Sequence, residues 1–205
     1  MDPVEIYEDL REKIIWLDVS PDSTFNQAEL ADAYGVSRNP VTIALTRLAA
    51  EEWVVRHGSH FVVTPLTLAR MREITEIRTL LEAQANLWAM HRMSPKGLAD
   101  LKALSNEINK LSPRAGKREM VRLDIDFHKI IYRETQNNYL AQTLERLLSH
   151  YIRFWLSGPQ EINKETLFKE TLAMIQAMQD KDEISLRAST AAHIKLSLDK
   201  IMGIP

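Results

Sequence analysis

The stretch GVSRNPVTIALTRL, residues 35–48, decides how the first third of this chain is read. It follows a short helix-period run, QAELADAY (27–34), and Gly35 is suited to the positive φ that closes a helix. Ser37 is a favourable N-cap for a second helix running to about Glu52. Pro40 is tolerated in that helix's first turn, where its missing N–H has no helical partner to lose. Val41, Ala44, Leu45 and Leu48 recur at helical spacing and form an inner face. The opposite face carries Arg38, Asn39, Thr42 and Thr46, side chains able to donate to phosphates and base edges. The backbone N–H groups at that helix start favour phosphate as well. This end of the helix therefore reads as a surface presented to DNA.

Working outward, Leu30 and Ala31 supply the inner face of the first of these two helices, and Val36 plugs the space between them. Upstream, VEIYEDLREKIIWL places Ile6, Leu10, Ile14 and Ile15 on one helical face. A loop with Asp18, Ser20, Pro21 and Asp22 follows. Downstream, WVVRHGSHFVVTPL reads as two short β runs around His57-Gly58-Ser59, the one convincing β signal in the chain. Helix, turn, helix and hairpin is the order of a winged helix-turn-helix. Beyond Pro65 the character changes to six helical patterns, over 67–92, 95–111, 117–136, 139–156, 163–179 and 182–202. Ser94-Pro95, Asn137-Asn138, Ser157-Gly158-Pro159 and Asp180-Lys181-Asp182 punctuate them. The expected fold is mainly α: a winged helix-turn-helix over 1–66, then an all-α six-helix bundle over 67–205.

Composition narrows the function classes. The 205 residues include no cysteine, so disulfides and thiolate metal sites are excluded, and a metal must be held by His, Asp or Glu. No long apolar run spans a membrane, and the acidic N-terminus lacks a signal-peptide pattern, so a cytoplasmic protein is expected. The net charge of −2 is uneven: residues 1–66 hold 5 Lys/Arg against 11 Asp/Glu, which is −6, and the remainder holds 21 against 17, which is +4. Phosphate attraction normally supplies much of a DNA reader's affinity, so this balance predicts weak or strongly salt-sensitive binding. Between Asp32 and Glu51, however, the chain has Arg38 and Arg47 and no acid, which makes the reading face locally positive.

The pattern Leu30, Ala31, Gly35, Val36, Ser37, Arg38, Pro40, Val41, Ala44, Leu45, Arg47, Leu48, together with the hairpin, resembles the DNA-binding signature of GntR-family bacterial transcription regulators. The resemblance implies that Arg38 contacts DNA and that the wing tip, His57-Gly58-Ser59, enters or flanks the minor groove. With Ser37, Asn39, Thr42 and Arg47 these form the expected DNA-binding set. Two positions depart from the family: Thr42 stands where a second Arg is usual, and Ile43 where an acid is usual.

The second part, from about Ile74 to Ile201, resembles the all-helical FCD effector domain of the same family, in a shorter, VanR-like six-helix form. The resemblance rests on EIRTLLE (76–82), LDIDFHKII (123–131), NNYL (137–140) and the closing helix with His193. Asp124 and His128 alone, one turn apart on a helix face, are an ordinary surface or capping pair. The resemblance implies more: a divalent metal, Zn, Ni or Mn, held by Asp124, His128 and His193. Thr171 occupies the place of a further expected His. Two outcomes follow. Three ligands plus water hold the ion at reduced affinity, or the site is metal-free and Thr171 bonds an effector directly.

Arg78 and Glu82, also one turn apart, read on their own as a helix-surface ion pair worth a few tenths of a kcal/mol, about 0.3–0.5. The resemblance implies that Arg78 faces the pocket and meets an effector carboxylate through its planar fork. The effector set is then Arg78, Asp124, His128, Thr171 and His193. Tyr151, Phe154 and Trp155 form an aromatic stripe read as core packing, and His150 is read as a surface or pocket-rim residue. No nucleophile motif, general base or phosphate loop accompanies the site, so no catalytic residue is assigned.

The expected function is DNA-binding transcription regulation, as a repressor. A homodimer on a pseudo-palindromic operator would release or engage DNA when a small organic acid binds the helical domain. The alternative is a winged-helix adaptor that has lost specific DNA reading. A steep loss of affinity with salt separates the reader from the adaptor.

Overall fold

The computed structural model describes residues 1–158 and 164–201, with side chains as far as Lys195. Pro159 and the expected helix ends at 163 and 202 lie outside the described residues. The chain divides into two compact units, 1–70 and 71–205.

In the first unit, α1 (Pro3–Ile15) opens on a capping box: Asp2 accepts from the backbone of Val4 and Glu5, and Glu5 returns to the Asp2 N–H. Its stripe of Ile6, Leu10, Ile14 and Ile15 is buried. After it come β1 (Thr24–Phe25), α2 (Gln27–Tyr34) and α3 (Arg38–Ala50). Gly35 closes α2 in the left-handed region at φ 65°, a conformation that a Cβ would strain. Val41, Ala44, Leu45 and Leu48 of α3 are buried, and Ala31 is buried with Leu30 and Val36 half-buried. The wing is β2 (Val54–His57) and β3 (His60–Val63), paired antiparallel from Val54↔Val63 to His57↔His60. Gly58, the first of the two loop residues, takes φ 59°, as the tight hairpin turns require.

The hairpin is not the whole sheet, as the sequence reading expected. β1 adds to the far edge of β3, with Thr24↔Val62 and Phe25↔Phe61, giving the order β1-β3-β2. A two-residue strand carries no alternation to read. Its pairing is dictated by β3, which offers a second edge.

The second unit holds α4 (Leu68–Arg92) from Met71 on, then α5 (Pro95–Lys110), α6 (Lys117–Glu134), α7 (Asn138–Ser157), α8 (Lys164–Asp180) and α9 (Glu183–Ile201). Ser94 and Asn137 cap α5 and α7 through their side chains. Two lysine amines close helix ends: Lys117 donates to the carbonyls of Leu156 and Gly158, and Lys164 to those of Asn109 and Leu111. The core is drawn from Leu101, Leu104 and Ile108 of α5, Phe127 and Ile131 of α6, Leu144 and Leu148 of α7 and Phe168 and Ile175 of α8. The buried stripe of α4 is different. Besides Met71, Ile74 and Ala85 it carries Arg78, Glu82 and Asn86, a polar run on an inward face.

One close approach ties α5 to α6. Glu134 is 4% exposed and accepts from the Ser94 N–H at 2.8 Å and from Arg133 Nε at 2.9 Å. A Cβ on Gly97 would lie 2.7 Å from both Glu134 carboxylate oxygens. Helix propensity alone favours Gly97→Ala by about 1 kcal/mol. We expect the opposite sign, a destabilisation of about 1–2 kcal/mol, because the carboxylate is displaced from the α5 N-terminus. A lower urea midpoint in that variant, absent when Gly97→Ala is made in a Glu134→Ala background, checks it.

Candidate nucleic-acid interface and ligand pocket

The exposed end of α3 is built from residues that the fold leaves unused. Ser37 holds the N-cap backbone conformation, φ −71° and ψ 168°, but its side chain makes no cap hydrogen bond, unlike the caps of α2, α5 and α7. Ser37 is thus the N-cap that the sequence reading expected, with its hydroxyl left outside the cap. Arg38 and Asn39 beside it are exposed, and so are His57, Gly58 and Ser59 at the wing tip.

Two residues of the expected set are engaged within the unit itself. The Thr42 hydroxyl donates to the Arg38 carbonyl at 2.9 Å. The Arg47 guanidinium lies 3.7 Å over the ring of Tyr7, and its Nε is 3.4 Å from Glu51 Oε1. Glu51 is the hub of this junction, accepting also from Tyr7 Oη at 2.5 Å and Trp53 Nε1 at 3.1 Å. Burial would raise the Glu51 pKa, but those donors outweigh it and hold the carboxyl below its usual range. The Tyr7 hydroxyl is pushed up to about 12 by burial and by the Glu51 carboxylate. Arg47 therefore fastens α3 to α1, a role that only the fold discloses.

In the second unit, Arg78, Asp124 and His193 line one cavity together with Leu148, Tyr151, Ile152, Trp155 and Leu167. Its free volume is about 10 Å³, room for roughly one water molecule. One ligating atom from each of Asp124, His128 and His193 falls within 4.8 Å of the others. The imidazole rings of His128 and His193 are 5.5 Å apart. Asp124 Oδ1, His128 Nε2 and Thr171 Oγ1 are all buried without a hydrogen-bond partner. Thr171 is fully buried on α8, one turn beyond the cavity-lining Leu167. Tyr151 and Trp155 face the cavity, while Phe154 is core.

Arg78 corrects the reading made from sequence. It is no surface pair: the side chains of Arg78 and Glu82 are 7% and 3% exposed. Arg78 Nε and Nη2 both reach Glu82 Oε1, at 3.0 and 2.6 Å, and the guanidinium lies 4.3 Å over the Tyr151 ring. Tyr132 Oη donates to the same oxygen at 2.7 Å. Burial would raise the Glu82 pKa, but the Arg78 charge and these bonds bring it down to about 2. His128 Nδ1 lies 3.8 Å from Glu82 Oε1, and its Nε2 3.8 Å from Asp124 Oδ2. Burial outweighs both carboxylates and lowers the His128 pKa, which keeps the imidazole neutral and able to ligate. His150 is likewise buried, at 6% exposure, and not a surface residue.

Glu82 and Tyr132 were missed as site residues. Tyr132 carries the signal that points to it, since it continues the Asp124–His128 stripe of α6 by one more turn.

A winged helix with an exposed helix start, followed by an all-helical unit in which half-buried Asp124 lies beside buried His128 and His193, is the build of a DNA-binding regulator. Comparison with known proteins agrees. The family described as "FCD domain" matches residues 73–196, and "Bacterial regulatory proteins, gntR family" matches 4–62. The chain belongs to the GntR family of transcription regulators, with an FCD domain, and is a DNA-binding transcription regulator. It is 28% identical over 187 residues to the Nta operon transcriptional regulator of Aminobacter aminovorans, spanning 90% of this chain and 87% of that one. It is 21% identical to the HTH-type transcriptional repressor RspR of Escherichia coli, over 93% and 85% of the two chains. The solved structure of E. coli McbR/YncC shares the fold, with TM-score 0.85 at 20% identity over 98% of this chain and 97% of that one. Among the described residues, no helix is long and apolar enough to cross a membrane.

Proposed function

We propose that this regulator is a homodimeric repressor whose helical unit holds one divalent ion through Asp124, His128 and His193 and uses it to bind a small carboxylate. The observation that carries the reading is the cluster itself, with both imidazoles buried and Asp124 half-buried. Three ligands of two types converge, burial lowers the His128 pKa, and His128 Nε2 and Asp124 Oδ1 are buried without a hydrogen-bond partner. A buried polar atom left in that state costs about 1–3 kcal/mol, which a bound ion or ligand would recover. The three ligand atoms lie within 4.8 Å of one another, so small side-chain adjustments would let Asp124, His128 and His193 hold one ion. The bound ion supplies a Lewis-acidic position for a carboxylate oxygen. Arg78 lines the cavity with Nε and Nη2 paired to Glu82 and offers its remaining N–H groups to a carboxylate, and Thr171 offers a hydroxyl on α8. An organic acid exceeds a cavity of about 10 Å³, so its binding requires the lining side chains to move. That requirement is what couples ligand to the position of the helices, and thence to DNA affinity.

Elemental mass spectrometry on untagged protein purified without chelators tests the ion. About one Zn, Ni or Mn per chain is expected, falling to trace levels in His128→Ala. Metal-free wild-type protein that still binds DNA would remove the ion from the proposal and leave a pocket of hydrogen bonds around Arg78 and Thr171. Sedimentation of the full chain tests the dimer, which would set two reading helices about 34 Å apart on a two-fold operator.

The −6 balance of residues 1–66 confines phosphate contacts to few cations, Arg38 foremost. Log affinity is expected to fall linearly with log salt, with a slope of about −0.9 per phosphate contact. Anisotropy titrations at several salt concentrations read that slope.

A further inference from the structure

The outward face of α3 changes chemistry along its length. Opposite the buried Val41, Ala44, Leu45 and Leu48 runs a stripe of Asn39, Ile43, Thr46 and Ala50, all exposed. Ile43 is 49% exposed in the middle of that stripe. A single exposed apolar residue means little by itself. A second, independent observation gives it meaning. The Thr42 hydroxyl donates to the Arg38 carbonyl at 2.9 Å, and the Thr46 hydroxyl to the Thr42 carbonyl at 2.7 Å. Their hydroxyl hydrogens are committed to the helix backbone, so a base edge meets only an oxygen acceptor and a methyl from each. Arg47, the remaining cation on α3, is stacked on Tyr7. Donors are thus confined to the first turn, at Arg38 and Asn39, and the next two turns present methyl groups.

We infer that Ile43, flanked by Thr42 and Thr46, is a specificity-determining residue of this regulator that selects thymine by contact with its C5-methyl group. In the major groove each base pair shows a distinct edge, and the C5-methyl of thymine is the one apolar feature among them. An apolar patch gains nothing against the acceptors of guanine or the amino group of cytosine and leaves those groups without water. The inference rests on the reading of α3 as the DNA-contacting helix. It assigns Arg38 and Asn39 to polar contacts at one end of the half-site and Ile43 to thymine further along.

The test uses the full-length protein and a random 30-base-pair duplex pool, selected to convergence. Each thymine of the selected duplex is then replaced in turn by deoxyuridine, which removes the methyl and nothing else. Affinity is read by fluorescence anisotropy at one salt concentration. At one or two thymines per half-site the replacement is expected to weaken binding about three- to tenfold, the scale of one or two buried methyl groups. In Ile43→Ala the same replacement is expected to change binding less than about twofold, with an unaltered salt slope. Ile43→Asn, which offers an amide to adenine, is expected to move the selected base at that position from thymine to adenine. Selection of a tight site in which every deoxyuridine is tolerated overturns the inference and leaves DNA reading intact. A pool that never enriches overturns both.

Discussion

Glu82→Ala is expected to destabilise the helical unit by about 3–5 kcal/mol, the largest stability effect of any single change at the site. The reason is the charge left behind. Arg78 is 7% exposed at its side chain, and both its Nε and Nη2 bond the oxygen that the variant removes. Tyr132 loses its acceptor at the same time. Urea denaturation of the full chain, followed by helical circular dichroism, checks the size. A loss under about 1 kcal/mol would place the Arg78 charge in solvent and contradict a buried pair.

The same pair predicts a pH response. The Glu82 carboxyl titrates at about 2 in the folded chain against 4.5 ordinarily, so the folded state binds fewer protons than the unfolded one between those values. The stability it contributes is fully present above about 4.5 and is lost as pH falls towards 2. Glu82→Gln has no such proton to take up. Its stability is therefore expected to fall less steeply over that interval than the wild type's. Parallel acid profiles would remove Glu82 from the account.

Arg38→Ala is expected to cost about 1–3 kcal/mol of operator binding, roughly 5- to 150-fold, with the thermal midpoint unchanged. Arg38 is exposed at the start of α3, beside an N-cap serine whose hydroxyl is not used by the helix. Arg47→Ala should behave oppositely. Its guanidinium is stacked on Tyr7 and bonded to Glu51, so stability falls by about 0.5–1 kcal/mol before any base contact is considered. Anisotropy titration and thermal melts on the two variants separate the roles. Wild-type affinity in Arg38→Ala would end the case for this helix start as the reading surface.

Much of the architecture was legible in the sequence because it is written in local signals. Apolar residues at helical spacing, with Ser94, Asn137 and Gly35 as punctuation, mark where each helix runs and which face turns inward. The Asp124–His128 spacing places two ligand types on one face of α6 in any helix that contains them. Tertiary structure decided what those faces meet. Periodicity cannot distinguish an Arg78–Glu82 pair on the surface from a buried one, since the spacing is the same and the residues packed against it, Tyr132, His128 and Tyr151, come from far along the chain. Arg47 looks like any outward cation until Tyr7, forty residues earlier, is found under it. The strand Thr24–Phe25 exists because β3 has a free edge, and Gly97 is required because Glu134 lies where its Cβ would be. A chain's own period determines its elements, whereas burial and charge pairing are properties of neighbours brought together from far along the sequence.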